Sequence, residues 1–458
     1  MIRNDHHDLY FRLRKQYQEF TYESFQYEVS GSDLSLSFHF RLGDQISFHP
    51  RSVFRFGNSA GDVEQIVRQH QQLVENIAFN IGMIELISYW KASCSPVVVI
   101  RPGALNDEQI NWWKKLYFNG LGEFFYLNSI PADPDSFMQI KSLNPHNYRV
   151  EEPIFKEGYL VPIGGGKDSA VSLSLLLGAG KKVTPLIMNP RGATIETVKA
   201  AGLQMEDALT INRTIDQQLI GLNKQGFLNG HTPFSAMLAF HTLMCSAITG
   251  FANIVLSNEG SANESTIPGT GINHQYSKSF EFEQDFRNYY RAYICSGISY
   301  FSLLRPLSEL QIAAIFSRLT NYHDVFRSCN AGSKTDEWCG KCPKCMFTHI
   351  MLSAFTGIAE ASRIIGNNML GNPDNEEVFN ELCGYSPIKP FDCVGTTLEV
   401  KQALQMTADR EPEDNRPDLV QRFLQREGAP VSPPDFGILE EKHFVPDNLI
   451  SVLKNNLK

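Results

Sequence analysis

The chain has little that would tie it to nucleic acid, to a bilayer or to an oxidising compartment. Its 458 residues carry 41 Lys and Arg against 50 Asp and Glu, which argues against a dedicated nucleic-acid binder, because phosphate affinity rests mainly on basic side chains. The opening "MIRNDHHDLYFRLRK" has no apolar stretch ahead of a small-residue cleavage site, so nothing in it reads as a signal peptide. Nine cysteines without a secretion signal point to reduced thiols or metal ligands in a cytoplasm. One run, residues 232–257, lacks Lys, Arg, Asp and Glu and is long enough to span a bilayer. Pro233 and Ser235 suit a helix start, Gly250 and Asn253 a helix end, and "IVL" a short buried strand, so a helix and a strand in a soluble core are expected there. No internal repeat is apparent.

A length of 458 residues predicts two or three domains. Before residue 150, Phe25, Tyr27 and Val29, then Leu34, Leu36, Phe38 and Phe40, alternate on either side of "SGSD" and predict a hairpin. Asp62 caps an expected helix whose Val63, Ile66, Val67, Val74, Ile77, Ile81 and Ile84 keep one period, and "PVVVI" reads as a buried strand. No catalytic constellation is visible in this part, and the Trp112–Trp113 pair suits core packing better than base stacking. From residue 159 onward, "YLVPI", "VTPLIM" and "NIVL" alternate with helical segments, the pattern of a parallel, doubly wound sheet. Past residue 360 the text turns polar and Pro-rich, and "TADREPEDNRPD" reads as an exposed loop or linker.

Between the first of those strands and the next helix stands "IGGGKDS". A Walker A loop is excluded, since Lys167 precedes Asp168 and position 161 is Val; a dinucleotide fingerprint is excluded by the spacing of Gly164, Gly165 and Gly166. What remains is a Gly-rich strand-to-helix turn that resembles the PP-loop of the ATP pyrophosphatases, usually Ser-Gly-Gly-x-Asp-Ser, with Gly164 in place of the first Ser. Gly165 and Gly166 allow close approach of backbone to phosphate, Lys167 and Ser169 can donate to phosphate oxygens, and Asp168 can help position magnesium. Pro162 is awkward within a strand. The resemblance implies cleavage of ATP between its α- and β-phosphates, with adenine near Ile187 and Met188.

A second signal is "CNAGSKTDEWCGKCPKC", which supplies Cys329, Cys339, Cys342 and Cys345. Four thiolates on tight turns read as structural zinc, with an iron–sulfur cluster or unpaired thiols as alternatives. Some PP-loop enzymes, including 7-cyano-7-deazaguanine synthase, carry a similar cluster. Residues 256–293 hold Asn258, Glu259, Asn263 and Glu264, candidates for magnesium or substrate, and His274, Tyr276 and Lys278, candidates for acid, base or phosphate contact.

Taken together, "GGGKDS", "SNEGSANES", "NHQYSKSFEFEQDFRNY", "YFSLLRPLSELQIA", "FRSCN", "WCGKCPKC" and "KPFDCVGT" resemble the MurL family, ATP-dependent UDP-N-acetylmuramoyl-L-alanyl-L-glutamate epimerases. The resemblance covers most of residues 155–396. It implies an α/β chain: an N-terminal α+β domain over 1–150, a parallel, doubly wound PP-loop domain of the adenine nucleotide alpha hydrolase type over 151–360 with the cysteine cluster at 329–345, and a C-terminal region over 361–458. It implies ATP, magnesium and structural zinc, a UDP-linked muramoyl dipeptide as substrate, and neither nucleic acid nor membrane as partner. An ATP-binding group of Gly164, Gly165, Gly166, Lys167, Asp168, Ser169 and Met188 is expected, with Asp168, Lys278, His274 and Cys393 as catalytic candidates. Cys383 with Cys393 resembles the thiol pair of cofactor-independent amino-acid racemases. A PP-loop enzyme that amidates or thiolates another substrate, and a non-enzymatic zinc-ribbon module, are the rival readings.

Overall fold

The computed structural model describes residues 3–264, 266–267, 272–332 and 335–457. Its strands are β1 (Glu19–Ser30), β2 (Asp33–Leu42), β3 (Ile46–Phe48), β4 (Arg51–Arg55), β5 (Val97–Ile100), β6 (Gln139–Ser142), β7 (Lys156–Pro162), β8 (Val183–Met188), β9 (Leu209–Thr214), β10 (Phe251–Leu256) and β11 (Ser299–Ser302). They form one sheet in the order β11-β10-β7-β8-β9-β4-β2-β1-β5-β6, with β3 beside β2. The fold is mixed α/β with a large, parallel-rich sheet. Five parallel strands, β11 to β9, adjoin a mixed block through an antiparallel joint in which Arg51 to Arg55 face Thr214 to Thr210.

Alternation along the parallel strands explains the packing. Leu160, Leu186, Ile254, Leu256 and Tyr300 feed one core, whereas Tyr159, Val161, Ile187, Val255 and Phe301 feed the other, so both faces are buried, as parallel sheets require. The expected hairpin is β1–β2, joined in register from Ser30↔Asp33 to Phe20↔Leu42 with one irregularity at Tyr22–Ser24. The single helical period expected over 63–84 is broken at His70 into helices Val63–Gln69 and Gln71–Trp90. The longer one is buried almost all round and lies against helix Phe234–Thr249.

Residue 150 marks a change of strand polarity, while the sheet continues across it. Glu85, on a helix of the first part, meets Arg213 of β9 at 2.7 Å, with 1% and 10% of their side chains exposed. Residues 232–257 split into helix Phe234–Thr249 and β10, and His241 is buried with bonds to Ser52 (3.1 Å) and the Met237 carbonyl (2.8 Å). Among the described residues no helix is long and apolar enough to cross a membrane. Trp113 is fully buried and donates to the Tyr289 hydroxyl at 2.9 Å, which makes it a core residue. "TADREPEDNRPD" is only partly loop: helix Thr397–Arg410 takes its first four residues, because Thr396 and Glu399 form a capping box that starts the helix upstream.

Pro162 is accommodated because it ends β7. The ladder to β10 stops at Leu160, and on the other side the Ile163 N–H takes over, donating to the Leu186 carbonyl at 2.8 Å. The chain builds β8 and β9 to one side of β7 and β10 and β11 to the other, so the carboxyl ends of β7 and β10 border the point where winding reverses. Open α/β sheets place ligands at such a point.

Candidate active site

The Gly-rich turn occupies that point. Gly165 has φ +81°, which a side chain adopts only at a cost, and a Cβ on it would lie 3.0–3.1 Å from Ala193 and the Thr194 nitrogen. Gly166 precedes helix Lys167–Gly178 in extended conformation, and a Cβ there would come 3.0 Å from the Ser328 hydroxyl. Gly164 faces open space. The first-turn N–H groups of the helix have no intrahelical acceptor and carry the positive end of its dipole, which makes the turn a cradle for an anion.

In front of it lies a cavity of about 700 Å³ whose wall includes Gly164, Gly166, Asp168, Ser169, Met188, Asn258 and Lys278. It also includes cations that the sequence did not single out: Arg191, Arg327 and Lys344. Two of these are fastened to the turn, since the Gly164 carbonyl accepts from Arg191 Nη2 at 3.0 Å and the Gly165 carbonyl from the Arg327 amide at 2.7 Å. A volume of that size holds a nucleotide-sized ligand.

Lys167 is absent from the wall. Its ammonium is buried and bonded to Asp168 and, at 2.5 Å, to Glu309 Oε2, both carboxylates outweighing burial and holding it well above its ordinary value. It braces the loop from behind, and the cations that line the cavity are Arg191, Arg327, Lys344 and Lys278. Burial pushes Glu309 up, and the Lys167 ammonium pulls it back down. Of the magnesium or substrate candidates, Asn258 reaches the cavity and donates to Ser302 Oγ at 3.1 Å. Glu259 is 3% exposed and does not reach it. Asn263 accepts the Phe280 N–H at 2.8 Å, and exposed Glu264 pairs with Lys389, so neither faces the cavity. Ser265 and residues 268–271 of the same stretch lie outside the described residues.

Three of the catalytic candidates, Lys278, His274 and Cys393, lie together, while Asp168 stands apart on Lys167. Its Nζ donates to Cys393 Sγ at 3.2 Å. His274 acts electrostatically on Cys393, and its Nδ1 meets Glu123 Oε2 at 2.5 Å. Burial would raise the Cys393 thiol, but Lys278, Lys344 and His274 bring it down to about 6, a thiolate at neutral pH. Burial would lower His274, yet Cys393 and Glu123 lift it to about 9, an imidazolium at neutral pH. Lys278 is held above its usual value by Cys393 against burial. Cys383 does not join this group: it is fully buried, burial pushes its thiol up to about 12, and its charged neighbours are Lys401, Glu427 and Arg426. The expected two-thiol pair therefore has no shared surroundings.

Sequence reasoning missed Glu123 because it stands in helix Gly122–Leu127, within "GLGEFFYL", where an isolated acid among aromatics gives no motif. The N-terminal part, expected to carry no catalytic constellation, thus supplies one wall of this cluster.

The four clustered cysteines fit a tetrahedral metal. Their Sγ atoms lie within 4.8 Å of one another, and three of the separations are 3.5, 3.8 and 3.8 Å. A tetrahedron with zinc–sulfur bonds of about 2.3 Å has edges of about 3.8 Å. The Gly332 and Cys339 N–H groups donate to Cys329 Sγ at 3.1 and 3.4 Å, as they would to a thiolate. Cys342 caps helix Pro343–Thr356, so the cluster fixes the segment that bears Lys344, while Cys329 touches the cavity itself.

Residues 12–303 match the family described as the MurL N-terminal domain, and residues 325–432 that described as the MurL C-terminal domain. The chain belongs to the MurL family. A protein of Xanthomonas oryzae pv. oryzae named UDP-N-acetyl-alpha-D-muramoyl-L-alanyl-L-glutamate epimerase is 31% identical over 453 residues, 89% of this chain and 98% of that protein. Proteins of the same name from Salinispora tropica (36% identical, 72% of each chain) and Micromonospora (33% identical, 71% of this chain and 73% of the relative) are also similar. The first MurL match runs through residue 150 without a break, as the sheet does. The second holds Cys393 and Lys344, so the candidate site is assembled from both MurL segments.

Proposed function

We propose that this chain epimerises the terminal L-Glu of UDP-N-acetylmuramoyl-L-Ala-L-Glu to D-Glu in peptidoglycan precursor synthesis, activating the glutamate with ATP. The name shared by the three relatives supports the overall reaction. One observation carries the mechanism: Lys278 stands on the wall of the Gly-loop cavity and is at the same time bonded to Cys393. A site for a nucleotide and a site for moving a proton therefore meet at one side chain.

The chemistry explains why both are needed. The glutamate nitrogen is an amide, which cannot form an imine, and the α-hydrogen beside an anionic carboxylate is poorly acidic. Attack of the α-carboxylate on the α-phosphorus of ATP, with departure of diphosphate, cancels that charge and gives a mixed anhydride. Gly165 and Gly166 let the backbone approach the phosphates, Ser169, Arg191, Arg327 and Lys344 supply donors, and Met188, on the same cavity wall, is the residue proposed to meet the base. Asp168, the one carboxylate on the wall among the described residues, is the residue that would hold magnesium, which neutralises phosphate charge when bound.

The Cys393 thiolate then takes the α-proton, and the Lys278 ammonium stabilises the enolate oxygen. A proton returned from the opposite face, followed by attack of water on the carbonyl, releases AMP and the D-Glu product. The four clustered cysteines would hold zinc as a structural centre that fixes Lys344. Incubation with ATP, magnesium and the L-Glu substrate, followed by chiral analysis of the glutamate and assay of AMP and diphosphate, tests the proposal. ADP and phosphate as products would remove the PP-loop reading; unchanged L-Glu would remove the epimerase.

A further inference from the structure

Glu123 and His231 have no part in the reaction as derived so far, yet they lie against His274. Three segments far apart in sequence bring them together: helix Gly122–Leu127, the stretch before helix Phe234–Thr249, and the loop that carries His274. The Glu123 side chain is 9% exposed, and a carboxylate so placed is costly unless paired. Its Oε2 is shared by two imidazoles, His274 Nδ1 at 2.5 Å and His231 Nδ1 at 3.2 Å. The rings are 4.7 Å apart, too close for two cations without cost. The surroundings decide which one keeps the proton. His274 has a second anion, Cys393, on it. His231 has instead Lys91, whose ammonium is pinned to the Gly230 carbonyl and, at 2.7 Å, to Thr232 Oγ1; burial, His274 and Lys91 outweigh Glu123 and bring His231 down to about 4.

We infer that Glu123 is the positioning residue of the proton-transfer group: it holds the His274 imidazolium by Nδ1, so that the imidazolium faces Cys393 and keeps that sulfur a thiolate. The inference rests on the proposed reading that Cys393 moves the α-proton. It extends the working site into the N-terminal half of the chain and explains why a carboxylate is buried there. The same three groups offer donors for a metal, and a bound ion is one outcome of the test.

The charged groups that act on the unit are Glu123, His231, Lys91, Cys393 and Asp392 around His274, with Lys278 and Lys344 around the sulfur. Neutralising Glu123 lets His274 lose its proton at lower pH, and Cys393 then loses one of its three cations. The sign follows: the thiol midpoint moves up from about 6, and the histidine limb moves down from about 9. A one-unit rise reads as about fivefold slower alkylation at pH 6.

The test uses the full chain and its Glu123→Gln and Glu123→Asp variants. Iodoacetamide labelling of Cys393 is followed by peptide mass mapping across pH 4.5–10, beside the pH profile of epimerisation. The expected result is a raised Cys393 midpoint and an alkaline activity limb moved toward ordinary histidine values in Glu123→Gln, with Glu123→Asp, which keeps the charge, lying between it and the parent. Identical labelling profiles in parent and both variants would overturn the inference, as would a second divalent ion per chain that Glu123→Gln loses. Should Glu123→Gln not fold, Glu123→Asp alone decides, because a merely structural carboxylate would leave the Cys393 midpoint in place. Failure of the underlying reading looks different: Cys393→Ser would still epimerise, while the Glu123-dependent shift of the thiol persisted.

Discussion

Replacing Gly165 with Ala tests the phosphate cradle with a single methyl group. The backbone at this position has φ +81°, and for a residue with a Cβ that region costs about 1–2 kcal/mol. The added carbon would lie 3.0 Å from the Ala193 carbonyl carbon, 3.1 Å from its Cβ and 3.1 Å from the Thr194 nitrogen, in the first turn of helix Gly192–Ala200. Backbone cannot rotate away as a side chain can, so overpacking adds a further cost of about 1–3 kcal/mol. Roughly 2–5 kcal/mol of destabilisation follows, unless the loop shifts to relieve it. A shift is no escape, because the Gly164 and Gly165 carbonyls hold Arg191 and the Arg327 amide, and the cations on the cavity wall would move with them. A displacement near 1 Å at a reacting group costs on the order of 10²-fold in rate. Thermal melting and substrate-dependent diphosphate release should therefore both fall in Gly165→Ala. Gly164→Ser is the matched control, since nothing among the described residues lies within 4 Å of a Cβ there and the usual PP-loop Ser would be restored; it should keep both. A Gly165→Ala protein that melts with the parent and releases diphosphate at the parental rate would refute the reasoning.

Asp168→Asn should lower ATP turnover at least tenfold while the melting temperature stays close to the parent's, because the side chain is one-third exposed on the cavity wall and its loss opens no core; parental turnover would contradict its assignment. Lys167→Met strands the Glu309 carboxylate, 3% exposed, and should cost about 3–5 kcal/mol in chemical denaturation, much of it regained in Lys167→Met/Glu309→Leu; equal stability of both variants would count against a buried pair. Cys342→Ser should lose zinc by metal analysis and with it the ordering of Lys344, so nucleotide turnover falls as well; a parent without zinc defeats this. In deuterated water the D-Glu product should carry deuterium at the α-carbon, since an inverting donor exchanges with solvent; product without label would exclude the carbanion route.

How much of this was legible depended on whether a residue's meaning was local. The Gly-rich turn could be read because strand, turn and helix are consecutive, and the cysteine cluster because its four ligands fall within residues 329–345. The helix and strand of 232–257 were legible for the same reason: Gly250, at φ +70°, ends one and precedes the other. Nothing near Lys167 in sequence announces its ion pair with Glu309, 142 residues on. Nor does the polar text around Glu259 and Glu264 show that one is buried and the other pairs with Lys389.

Arg191, Arg327, Lys344 and Glu123 were illegible for a physical reason. Each is an ordinary charged residue whose role comes from what the sheet order brings beside it. Arg191 follows β8, the neighbour of β7, so its reach to the Gly164 carbonyl exists only because those strands pair. Lys344 is placed by the cysteine cluster and Arg327 by its amide bond to Gly165. Glu123 depends on the antiparallel joint between β4 and β9, which fuses the N-terminal block to the parallel strands and lets a helix of the former close on His274. With two separate domains, that carboxylate would be one more surface acid. In one continuous sheet it becomes a fixed charge beside His274, and the proton-transfer group proposed above draws on three regions of the chain, none of which contains it alone.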